Sequence, residues 1–137
     1  MSEYWEFGCV VVDASTVIAV VSGDDPRGSA ATARIVGANL IAPTILPYEV
    51  TNVVRRRWAG GVISLDDATT AMQGFAELNV EYFQWAMLAD RVWQLRGSLS
   101  SYDASYIALA EIMRCPLMTA DAKLAAMAPA TCQVELI

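Results

Sequence analysis

Short apolar runs alternate with helical segments along nearly the whole chain, and that alternation leaves few folds open. Cys9-Val10-Val11-Val12 is uncharged and β-branched, the pattern of a strand buried on both faces. A helix over 15–21 follows, then a Gly-Asp-Asp-Pro turn and a second helix over 29–36 ended by Gly37. Leu40-Ile41-Ala42 reads as the next strand, stopped by Pro43. Pro47 suits the first turn of a helix that runs to Trp58 and is closed by Gly60-Gly61. Ser64 with Asp67 opens another helix, through Glu77. Residues 80–83 make a weaker strand and 84–95 a helix ended by Gly97. Ser100 or Ser101 caps a helix reaching Met113. Pro116-Leu117-Met118-Thr119 is a fourth strand, 122–127 a short helix and 133–137 a closing strand. Strands separated by helices predict an α/β fold: a three-layer α/β/α arrangement around a mostly parallel sheet of about five strands.

The chain has 137 residues, 55% of them apolar, enough for one well-filled domain spanning 1–137. No repeat, linker or low-complexity segment interrupts it. The acidic start, Met-Ser-Glu-Tyr-Trp-Glu, lacks the order of a secretory signal. No apolar run approaches the ~20 residues that cross a bilayer. A soluble cytoplasmic protein with no membrane contact is the expectation. The cysteines, Cys9, Cys115 and Cys132, are odd in number and lack Cys-x-x-Cys spacing. Each flanks a predicted strand, so small buried hydrophobes are expected instead of a disulfide.

There is no histidine. Its absence excludes Ser-His-Asp and Cys-His catalysis, histidine acid–base hydrolysis and the usual histidine-bearing zinc sites. Hydrolytic chemistry would have to come from carboxylates, hydroxyls or a hard, oxygen-loving metal. The formal net charge of −6 counts against a broadly basic nucleic-acid surface. It also overstates the charge of any acidic cluster that holds a cation.

In a parallel α/β sheet, sites form beyond the carboxyl ends of the strands. Asp13 directly follows the first strand, and Asp121 follows the fourth after Ala120. Glu49 lies in the first turn of the helix entered from the second strand. Asp103 lies in the first turn of the helix that feeds the fourth. Crossover helices run opposite to their strands, so all four acids are expected at one edge. Two carboxylates at ~4 Å repel by about 4 kcal/mol at an effective dielectric of 20. Such a cluster protonates or binds a cation. Taken singly, each acid has a plainer reading: Asp13 and Asp121 as caps, Glu49 and Asp103 as complements to helix N-termini. That reading does not explain their common edge. Ser15, Thr119 and Asn52 are candidate supports, the hydroxyls by holding a metal-bound water or fixing a carboxylate rotamer and Asn52 by sharing a helix face with Glu49. Ser15 also reads as a cap, and Asn52 as an ordinary polar contact. Asp66, Asp67, Glu77, Asp90 and Glu111 read as solvated charges without a role.

The segments Val11-Val12-Asp13-Ala14-Ser15, Pro47-Tyr48-Glu49-Val50-Thr51-Asn52, Ser101-Tyr102-Asp103-Ala104-Ser105-Tyr106 and Leu117-Met118-Thr119-Ala120-Asp121 resemble PIN-domain nucleases. The similarity is to toxins of the VapC type from bacterial toxin–antitoxin pairs, and it covers essentially the whole chain in order. It implies a PIN-like fold and a Mg2+- or Mn2+-dependent endoribonuclease, blocked by a cognate antitoxin and usually a homodimer. The family's acids carry over to Asp13, Glu49, Asp103 and Asp121. RNA would approach through Arg55, Arg56, Arg57, Arg91, Arg96 or Lys123, although Arg55 to Arg57 equally suit the negative end of their helix. Trp58, Met72 and Phe75 could line a groove for a partner helix, with core packing the plainer reading. Two other functions stay open. One is a receiver-like phosphate acceptor, which needs a lysine; Lys123 is the only one, and helix-borne Glu49 and Asp103 fit it poorly. The other is a non-catalytic module whose acidic pocket binds a partner's basic side chain.

Overall fold

Five strands, β1 (Cys9–Val12), β2 (Asn39–Pro43), β3 (Val80–Phe83), β4 (Leu117–Thr119) and β5 (Val134–Leu136), form one sheet in the order β3-β2-β1-β4-β5. The computed structural model describes residues 8–137; the start of the chain, expected to carry no secretory signal, lies outside the described residues. Every strand pairing is parallel, with Val11 beside Ile41 on one side and beside Leu117 on the other. The mostly parallel sheet of the sequence reading is thus wholly parallel among the described residues. Pro43, expected to stop β2, is its last residue.

Among the described residues seven helices join these strands: α1 (Ala14–Val21), α2 (Gly28–Ile35), α3 (Leu46–Ala59), α4 (Leu65–Glu77), α5 (Trp85–Gln94), α6 (Ser101–Met113) and α7 (Ala122–Met127). The strand order explains their two layers. From β1 through β2 to β3 the chain steps one way along the sheet, and right-handed crossovers put the intervening helices on one face. From β3 it steps back past β1 to β4 and β5, so the same handedness puts later helices on the other face. The packing agrees: α1 touches α2, α3 and α4, while α5 packs on α6 and α6 lies across β1, β2 and β4. The direction reverses between β1 and β4, which opens a crevice beyond their carboxyl ends.

Both faces of the central strand are covered. Cys9, Val10, Val11 and Val12 are all buried, as are Ile41, Ala42 and Leu117. Residues 106–110 of α6 are buried without a break, and Ala104, Ala108 and Ala110 let its backbone approach the sheet closely. Phe75 belongs to the core, Met72 packs against it, and Trp58 stands in solvent, so the three do not form a common groove. Ser64 and Ser100 cap α4 and α6, each accepting a backbone N–H. Among the described residues no helix is long and apolar enough to cross a membrane.

The expectation for the cysteines is overturned at two of three positions. Cys9 and Cys115 form a disulfide, with Cα atoms 5.4 Å apart and 106 residues between them in sequence. The physical reason is register. The parallel pairing that sets Val11 beside Leu117 and Val12 beside Met118 continues back to set Cys9 beside Cys115. Counting cysteines says nothing of that neighbour relation. Cys132 keeps a free, buried thiol, and burial pushes it up to about 11. Glu111 is also corrected. It is no solvated charge but accepts both arms of the Arg91 guanidinium, at 2.7 and 3.0 Å, and the Thr131 hydroxyl. This pair ties α5 to α6.

Candidate active site

Asp13 sits where β1 ends, with extended backbone, and its carboxylate caps α1 by accepting the Thr16 N–H at 3.0 Å. It is buried, and two hydroxyls also serve it: Ser15 Oγ donates to Oδ1 at 2.7 Å and Thr119 Oγ1 to Oδ2 at 2.5 Å. The same hydroxyls accept backbone N–H groups from the loop after β4, Ser15 from Ala120 at 2.9 Å and Thr119 from Asp121 at 3.0 Å. Each hydroxyl has one proton. With both given to Asp13, the Ser15–Thr119 contact of 3.3 Å carries no hydrogen bond of its own. The two residues expected to support the site therefore hold Asp13 and the β4–α7 loop together. Asp121, in that loop, caps α7 through the N–H groups of Lys123 and Leu124 and is exposed. The capping reading is thus correct for Asp13 and Asp121, and it coexists with their meeting at one edge.

Glu49 lies in the first turn of α3 and Asp103 in the first turn of α6, both partly buried. Glu49 Oε1 accepts the Tyr106 hydroxyl at 2.6 Å. Tyr106 was missed by the sequence reading. Its signal was present, because it lies three residues after Asp103 and so on the same helix face. An apolar surround made core packing the simpler assumption, and the ring is indeed buried. Asn52 is exposed and accepts from Arg55 Nε at 3.3 Å. It lines the depression beside Glu49, and among the described residues it makes no hydrogen bond to an acid.

The charges interact as the common edge requires. Burial raises Asp13 above the ordinary aspartate value, against the pull of hydrogen bonds from Thr119, Ser15 and Thr16. Burial likewise raises Glu49, and the charges of Asp103 and Asp13 add to it. Asp103 is raised by burial, then by Asp121 and Asp13; Ser100 and Lys123 oppose this. None of the ion pairs among the described residues involves these four acids. As the side chains stand, no three acids or thiols among the described residues form a ready-made metal cage. A hard divalent ion does not require one. Mg2+ is held through one or two carboxylates and retains several waters. An all-oxygen donor set around a partly buried, repelling acid cluster fits such an ion, and it excludes none of the four residues as ligands.

Of the candidate cations, Arg55 lines a surface depression with Glu49, and Lys123 is close enough to act on Asp103. Arg91 is committed to Glu111, which lies about 12 Å along α6 from Asp103. Arg96 is stacked on Trp93, 4.5 Å from the ring centroid, and donates to its carbonyl. Arg57 reaches Ser22.

A pH dependence follows. Folded-state values above the unfolded ones mean that these acids oppose folding of the metal-free chain above their folded values. They cease to oppose it as pH falls into the ordinary carboxylate range. Glu49→Gln keeps an acceptor for Tyr106 and removes a charge. In urea titrations without divalent ions, the variant is expected to exceed the parent in stability at pH 7. The gap should close by about pH 4. A gap that stays constant with pH would show that repulsion at this edge is not felt.

Comparison with known proteins is consistent with this geometry. Residues 10–129 match the PIN domain. Ribonuclease VapC9 of Mycobacterium tuberculosis is 33% identical over 128 residues, covering 93% of this chain and 98% of that protein. Ribonuclease VapC1 of the same organism is 31% identical over 93% of this chain and 96% of its own length. Among solved structures, VapBC2 from Rickettsia felis, bound to a promoter DNA fragment, gives a TM-score of 0.67 at 11% identity, over 93% of this chain and 98% of that one. VapC20 of Mycobacterium tuberculosis, a toxin that cleaves the sarcin–ricin loop, gives 0.63 at 17% identity, over 90% and 98%. At such identities the structural likeness speaks for the fold alone. With the family pattern running through nearly the whole sequence and VapC relatives aligned along it, this chain belongs to the PIN domain family.

Proposed function

We propose that the chain is a metal-dependent endoribonuclease of the VapC toxin type, acting through the cluster of Asp13, Glu49, Asp103 and Asp121. The observation that carries the proposal is the meeting of four sequence-distant acids at the switch point of the sheet, each of three felt electrostatically by others. Family membership and the ribonuclease names of the relatives support it. Mg2+ or Mn2+ suits the oxygen donors; when bound, it supplies nucleophile activation and offsets charge on the leaving oxygen. The protein's own part is to place ligands and move a proton. Asp13, held by Ser15, Thr16 and Thr119, is the fixed point of the donor set. Glu49 is oriented by Tyr106, and its raised proton affinity suits it to the role of proton acceptor. Asp103 and Asp121 complete the negative wall, with Lys123 beside them.

The partners follow from the same reading: an RNA substrate, a cognate antitoxin that covers the acidic pocket, and a second copy in a homodimer, in the cytoplasm. Neither a receiver-like phosphate acceptor nor a non-catalytic module is favoured by any feature of the site. The direct test is incubation of the chain with an RNA panel in Mn2+ or Mg2+, with chelator as control; cleavage that persists in chelator, or none in either ion, would remove the proposal. A second expectation concerns Tyr106. Tyr106→Phe removes only the hydroxyl that orients Glu49. By analogy with residues that orient metal ligands, it should raise the Mn2+ concentration for half-maximal cleavage by roughly 10- to 100-fold. An unchanged metal requirement would leave Tyr106 as a core residue only.

A further inference from the structure

One surface depression meets the acid cluster at Glu49, and a second shares a wall with it. One, of 490 Å3, is lined by Glu49, Asn52 and Arg55; the other, of 480 Å3, by Trp85; Tyr48 and Tyr102 line both. Their position follows from the sequence. Tyr48 immediately precedes Glu49 at the start of α3, Tyr102 immediately precedes Asp103 at the start of α6, and Trp85 opens α5 just past the end of β3. Three aromatic rings thus stand at three helix starts on the carboxyl edge that carries the acids. On each of α3 and α6 the ring and the carboxylate are about 100° apart around the axis, so one can face the groove while the other faces the cluster. The rings are open to solvent: Tyr48 is 74% exposed, Trp85 69% and Tyr102 57%. Leaving three large aromatics in water has no benefit for folding, and grouped exposed rings mark a binding surface.

We infer that Tyr48, Tyr102 and Trp85 form a stacking platform for the unpaired bases of single-stranded RNA, with Arg55 contacting a flanking phosphate. The inference rests on the ribonuclease reading for why a nucleic acid comes to this edge, and adds which side chains of this chain hold its bases. The groove sets one cation, Arg55, beside the rings for this occupant. Arg55 is exposed at the groove wall, held toward it by Asn52, and among the described residues no carboxylate pairs with it. A phosphate chain needs both a cation beside the groove and rings for its bases, and every base has a face that stacks. A duplex keeps its bases stacked on each other and offers none to the rings.

The test is binding of a labelled eight-nucleotide RNA to the full chain by fluorescence anisotropy. Ca2+ replaces Mn2+, and the label is checked for integrity afterwards. Tyr48→Ala and Tyr102→Ala are each expected to weaken binding about tenfold, in the range seen for loss of one stacked base. Tyr48→Phe and Tyr102→Phe should stay within about threefold of the parent, since a phenyl face stacks as well. The same sequence as a duplex should bind at least about tenfold more weakly. All three rings being exposed, Trp85→Ala provides a third probe should either tyrosine variant fail to fold. Equal binding by the alanine variants, equal binding of the duplex, or no binding of RNA by the parent chain overturns the inference. So does sedimentation in which the alanine variants turn a dimer into monomers, because a second copy then fills the groove. Cleavage in Mn2+, followed in parallel, separates the two readings. RNA bound through the rings but never cut removes the nuclease and leaves the platform. RNA cut with an affinity indifferent to the rings does the reverse.

Discussion

Asp103→Asn is expected to abolish RNA cleavage while leaving a fold at least as stable as the parent's. The substitution removes one unit of negative charge from a partly buried group that burial, Asp121 and Asp13 all push toward protonation. Its shape is kept, and the backbone N–H of residue 103 still reaches Ser100 Oγ. If Asp103 is the ligand proposed above, losing its charge costs several kcal/mol of transition-state stabilisation, roughly a thousandfold in rate. Cleavage rates in Mn2+ and urea titrations in chelator measure the two halves separately. A variant retaining more than about a tenth of the parent rate would remove Asp103 from the chemistry. A variant clearly less stable without metal would make it a structural acid. Asp13→Asn is expected to be just as inactive but is the poorer stability probe. Asp13 accepts from Ser15, Thr16 and Thr119, and an amide in its place turns one acceptor into a donor facing a hydroxyl whose own proton then needs a new home.

Reduction of the Cys9–Cys115 disulfide should produce the largest loss of stability available without touching the site. The bond closes a loop of 106 residues, and chain entropy alone assigns such a loop between about 4 and 5 kcal/mol. For a chain of this size that corresponds to a fall in melting temperature of roughly 10–15 °C. Urea unfolding with and without a strong reductant measures it. Cys9→Ser and Cys115→Ser should show the loss already and respond no further to reductant, whereas Cys132→Ser should behave as the parent does. A parent chain indifferent to reductant would mean that the two sulfurs are not joined in solution. Both cysteines lie at the amino ends of their strands, opposite the acid cluster. Cleavage measured well below the melting transition should therefore survive reduction.

The fold was legible because its signals are local. Four uncharged residues in β1, Pro47 in the first turn of α3, and Ser64 and Ser100 as caps each declare themselves within a few positions. The four acids were legible for a topological reason: a helix entered from a strand, as for Glu49, or feeding the next one, as for Asp103, starts at the carboxyl edge where Asp13 and Asp121 follow their strands. What could not be read was lateral. That β1 lies beside β4, and in the register that sets Val11 against Leu117, is a fact of sheet assembly, and the two together make Cys9 and Cys115 neighbours. The pairing of Arg91 with Glu111 depends on how α5 lies on α6, which periodicity does not specify. Tyr106 was hidden for another reason. A tyrosine in an alanine-rich buried helix satisfies hydrophobic patterning whether or not its hydroxyl has a task.

The hydroxyl bridges from Ser15 and Thr119 give this edge a built-in reporter. The N–H groups of Ala120 and Asp121 are each one hydroxyl removed from an oxygen of Asp13. Any cation that draws electron density from that carboxylate polarises both bridges. Two amide resonances, identifiable from a single isotope-labelled sample, would then register the arrival of an ion before any RNA is added.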